Sequence, residues 1–125
     1  MSVGIVSAIS GLFRFVSALI SKNTPAAVAR AKFRNYLEPI INEYQAMDAC
    51  AIETAYRHNR LMQWGEFKSK AQEVRPYVRG VKSAFDLTCN IMPGIVFGDH
   101  SDRPKNQAAK DEFLKRLRAV LHFVR

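Results

Sequence analysis

The chain has 125 residues, 48% of them apolar, which is enough for one buried core and excludes wholesale disorder. Its 19 basic and 11 acidic residues leave a net charge of +8 at pH 7, so the surface favours polyanions: nucleic acid, anionic lipid or an acidic protein. Two distant cysteines, Cys50 and Cys89, form no disulfide framework or zinc motif; they read as free thiols in a reducing compartment, with a Cys50–Cys89 bridge across facing helices as the alternative.

Residues 1–22 read as an amphipathic helix. Ile5, Ile9, Leu12, Phe13, Val16 and Ile20 share one arc, and Ser7, Ser10, Arg14 and Ser17 share the other. No basic region precedes the apolar run, so it is not a secretory signal, and Arg14 at its centre makes it a poor transmembrane span. It is serine-rich and free of acids, the composition of a mitochondrial targeting segment. Its apolar arc suits three roles: packing on the core, lying on a membrane surface, or filling a partner's groove.

Thr24 followed by Pro25 is a strong helix start, an N-cap before a residue whose missing amide costs nothing there. That helix carries Arg30, Lys32 and Arg34 and is expected to kink or break at Pro39. A second long helix then runs to about residue 63, with a seam of Leu37, Ile40/Ile41, Tyr44, Met47, Ala51, Ala55, His58 and Met62. His58, on this apolar seam, reads as a hydrogen-bonded core histidine, and Glu53 with Arg57 as an exposed i,i+4 pair.

From Phe67 to Met92, apolar residues recur at alternating gaps of four and three: Phe67, Ala71, Val74, Val78, Val81, Phe85, with Thr88 weaker, then Met92. That spacing predicts one long helix, bent but not ended at Pro76. With Trp64-Gly65 as the turn, residues 40–63 and 66–92 are expected to form an antiparallel hairpin. A loop over residues 93–103 follows, in which Ile95, Val96 and Phe97 plug the end of a bundle or meet a partner. The last helix, 104–125, buries Phe113, Leu114, Leu117, Val120, Leu121 and Val124.

The expected fold is therefore all-α: a single-domain helical bundle built on a long hairpin (central helices over 25–92), flanked by N- and C-terminal helices. Catalytic signals are thin. His100 between Asp99 and Asp102 invites an active-site reading, but Asp and Ser before a helix are ordinary turn and capping residues. No phosphate loop, metal-ligand pair or CxxC is present, so an enzyme is disfavoured and no cofactor or metal is expected. The basic sets say more. Arg75, Arg79 and Lys82 recur at i, i+4, i+7; Arg30 and Arg34 stack at i, i+4 beside Lys32; Lys115, Arg116 and Arg118 cluster on the last helix. Cations spaced along rigid helices suit a phosphate backbone recognised by shape, with no base-reading chemistry.

The expectation is a small, non-enzymatic, basic helical protein that binds RNA or DNA backbone in the cytoplasm or a virion and self-associates, since the seams exceed what one hairpin needs. Its size and composition also suit a virus- or phage-encoded protein. The alternative is a structural subunit of a membrane-associated or mitochondrial assembly, docked through residues 1–22. No small-molecule substrate is expected.

Overall fold

A computed structural model describes residues 24–125, which form five α-helices, one short 3-10 segment and no strand. The segment 1–22 and its apolar residues Ile5, Ile9, Leu12, Phe13, Val16 and Ile20 lie outside the described residues. The all-α class holds, and the helices are shorter than the two rods the seams call for.

Helix α1 (Pro25–Ala46) begins where expected: Thr24 Oγ1 accepts the Ala27 amide at 3.3 Å, and Pro25 takes the first helical position. It continues through Pro39. Buried Leu37 and Ile41, two residues to either side, hold both halves against the core while Pro39 itself is exposed. That anchoring outweighs one lost backbone bond.

The helix ends instead before Met47, and Asp48 caps α2 (Ala49–Arg57) by accepting the Cys50 amide at 2.9 Å. This break resets the helical register. The buried face becomes Ala49, Cys50, Ile52 and Glu53, while Ala51 is exposed. His58, expected in the core, caps the end of α2 and is exposed.

The turn after α2 falls at His58-Asn59, where Asn59 has a φ of +56°, and not at Trp64-Gly65. Asparagine tolerates that left-handed conformation better than most residues. Trp64 opens α3 (Trp64–Val74).

The stretch from Phe67 to Met92 is not one helix. After Val74 it tightens into a 3-10 segment, Arg75–Tyr77, and passes Gly80 at φ +82° before α4 (Lys82–Thr88). Pro76 lacks the amide needed to extend the ladder, and Gly80 supplies the left-handed turn that redirects the chain. Phe67, Ala71, Val74 and Phe85 are buried as the seam requires, but Val81 is 64% exposed.

Beyond Gly94, Ile95 is buried and Phe97 stacks on Tyr56 with ring centroids 4.8 Å apart, so two of the three apolar loop residues pack inward. Asp102 then caps α5 (Arg103–His122) by accepting the Lys105 amide at 3.1 Å. The fold is centred on α5, which packs against α2, α1 and α4, and α1 in turn covers α3. Phe113, Leu117 and Val120 are fully buried, and so is Val124 beyond the helix end. Between α1, α3 and α4 the rings of Phe33, Phe67 and Phe85 meet at 6.2 and 6.4 Å. Cys50 is buried and Cys89 half-buried, both as free thiols.

Candidate polyanion interface

The acids decide which cations are left for a partner. Arg75, expected to head an outward stripe, grips Asp86 with Nε at 2.9 and 3.1 Å from the two carboxylate oxygens and Nη2 at 2.9 Å. Because residues 75–82 are not helical throughout, the Arg75–Arg79–Lys82 stripe does not form. Lys32 lies 3.6 Å from the Glu73 carboxylate. Arg116 pairs with Glu112 at 2.8 Å and donates to the main-chain oxygens of Ile91 and Pro93, clamping the turn before Gly94. These three candidates are engaged within the fold. Lys82 and Lys115 are exposed and pair with no Asp or Glu among the described residues.

A different set comes together where the first half of α1 meets the end of α5. Arg30 donates to the Tyr77 carbonyl at 2.9 Å. Arg34 donates to the main-chain oxygen of Val124, and Arg79 Nε to that of Arg125. The Arg79 amide also donates to the Phe123 carbonyl at 2.8 Å, tying the loop after the 3-10 segment to the end of α5. Partial burial, and the charges of Arg79 and Arg34 beside it, lower the Arg30 pKa below its ordinary value. A guanidinium so placed still keeps its proton at neutral pH.

Arg34 continues this set into a cleft of about 580 Å³ between α1 and α5, which it lines with Arg118 and Arg125. Arg118 donates to the Gln45 side-chain oxygen at 2.6 Å. Among the described residues, none of Arg30, Arg34, Arg79, Arg118 and Arg125 has an Asp or Glu carboxylate within ion-pair distance. Arg125 is the member that sequence spacing misses, because it joins the others only through the packing of the chain end on α1.

The Asp99–Asp102 turn is built differently. His100 Nδ1 lies 2.8 Å from Thr54 Oγ1 and 3.3 Å from Glu53 Oε1, and Glu53 is only 4% exposed. Glu53 also accepts from Arg57 Nε at 3.1 Å, so the expected i,i+4 pair forms, with its acid inside. Asp102 serves as the helix cap. Among the described residues no group of His, Cys, Asp and Glu is arranged to hold a metal ion, and no helix is long and apolar enough to cross a membrane.

Compared with protein families, curated proteins and solved structures, the chain has no match.

Proposed function

We propose that the protein binds the phosphate backbone of nucleic acid, RNA or DNA, without catalysis, through the surface formed by Arg30, Arg34, Arg79, Arg118 and Arg125. One observation carries this reading. Among the described residues, Asp and Glu pair with Arg75, Lys32, Arg116, Arg57 and Arg103. The five arginines of this surface are gathered where α1 meets the end of α5 with no Asp or Glu within ion-pair distance, Glu38 being the one acid on the wall of their cleft. Gathering like charges costs stability unless something offsets it. Main-chain oxygens anchor three of the side chains, and a polyanion supplies the missing negative charge.

Arginine suits the task, because its planar fork meets phosphate oxygens in pairs. All five arginines come from one chain, so the surface does not depend on the self-association that the apolar seams suggest.

The test is fluorescence anisotropy on a labelled duplex with three proteins: the full chain, R118A/R125A, and K32A/R75A. Weakened binding in the first variant only supports the reading. Equal weakening in both, or none in R118A/R125A, overturns it.

A further inference from the structure

The cleft between α1 and α5 offers more than cations. Beside Arg34, Arg118 and Arg125, its walls carry the carboxamides of Asn42 and Gln45 and the apolar side chains of Ile41 and Leu121. A surface that only tracks a rigid phosphate rail needs neither a recess nor amide donors and acceptors. At about 580 Å³ the recess falls in the ~300–1,000 Å³ range of small-ligand sites.

We propose that this cleft receives one unpaired nucleotide of the bound strand, with its phosphate on the arginine forks. The inference rests on the backbone-binding reading and adds a preference to it: a strand that presents an unpaired base gains contacts in the cleft that a blunt duplex lacks. Each wall then has a use. Half-buried Leu121, with the exposed edge of Ile41 beneath it, gives the base an apolar surface that displaces water from its face. Asn42 is exposed and makes no side-chain hydrogen bond among the described residues, so its amide can pair with a base edge. Gln45 already receives Arg118 on its oxygen, which leaves its amide hydrogens to donate. Glu38, on the same wall, can accept only from a donor, and a sugar hydroxyl is one. A bare phosphate would satisfy the guanidinium groups and leave Asn42, Glu38 and the apolar wall unused.

The test is calorimetric and NMR titration of the full chain with a nucleoside monophosphate and with inorganic phosphate at equal ionic strength, in wild type and N42A. Asn42 is exposed and alanine is a good helix former, so N42A should stay folded. The expected result is a nucleotide preference over phosphate of about tenfold or more, with shifted resonances at Asn42, Gln45 and Leu121. N42A should narrow that preference and leave phosphate binding unchanged. Equal affinity for nucleotide and phosphate overturns the proposal, and so does an unchanged preference in N42A. In either case, salt-sensitive binding of a blunt duplex by the same sample leaves the backbone reading standing. Nucleotide binding without duplex or single-strand binding would instead support the cleft and remove the backbone reading.

Discussion

Arg75 and Asp86 face each other across the break that ends α3, joined by contacts of 2.9 to 3.1 Å at both carboxylate oxygens. The hydrogen bonds from Arg75, and its charge, hold the Asp86 carboxyl below its ordinary value of 3.8, against a smaller opposing effect of desolvation. A carboxyl with a depressed folded-state pKa contributes stability above its unfolded pKa and loses it as pH falls through the folded one. R75A should therefore melt below wild type at pH 7, and the difference should shrink to nothing in acid, below the folded-state pKa. Paired thermal melts across that range check it. A difference that persists at the lowest pH would mean the pair is not its source.

Asn106 is fully buried and holds the loop before α5 in shape. Its Oδ1 accepts the Gly98 amide at 2.8 Å, and its Nδ2 donates to the Asp99 carbonyl at 2.8 Å, with Cys50 Sγ at 3.8 Å. N106A leaves two main-chain groups without these partners, an expected loss of about 2–4 kcal/mol in a urea unfolding curve. A loss under about 0.5 kcal/mol would show that the loop finds other partners.

Gly94 sits at φ +84°, and a methyl group there would lie 3.3 Å from Arg116 Nη2. Both the backbone conformation and the contact oppose a side chain. G94A should cost about 1–2 kcal/mol. Against an R116A background the added cost should be smaller, because only the conformational part remains. A double-mutant cycle reads the difference, and strict additivity would contradict the contact.

Burial pushes the Cys89 thiol from 9.0 up to about 12, with the charge of Asp86 adding to it, and the Tyr44 phenol from 10.0 to about 12. Both groups stay protonated in the fold at pH values where the unfolded chain has released its protons. Their stabilisation is complete below about pH 9 and falls as pH rises towards 12. Unfolding free energy should decline over that interval, less steeply in Y44F. At pH 8, alkylation of Cys89 should be far slower in the native protein than in urea; equal rates would contradict the burial.

Much of the fold was legible in local chemistry. Thr24-Pro25 and Asp102 mark their helix starts because capping is decided within three residues. The stripe Phe113, Leu114, Leu117 and Val120 is buried as its spacing requires. Periodicity misled where competing effects had to be weighed. Pro39 is overridden by its buried neighbours, while Pro76, followed by Gly80, ends the helix. Of the seam from Phe67 to Met92, Phe67, Ala71, Val74 and Phe85 stay buried although the rod does not form, because separate short helices can face one core, and Val81 is turned out at the break. The interface was legible only in part. Arg30, Arg34, Arg79 and Arg118 are visible as cations, but which carboxylate neutralises Arg75, Lys32 and Arg116 depends on contacts between elements, and Arg125 joins through the packing of the chain end.

The most direct test of the connected arginine surface is the slope of log Kobs against log salt for duplex DNA binding. Each phosphate neutralised contributes ~0.9 to that slope, so five arginines predict a slope of about −4 to −5. R118A/R125A should be shallower by about 2. A flat dependence in wild type, or the same slope in both proteins, would contradict the account.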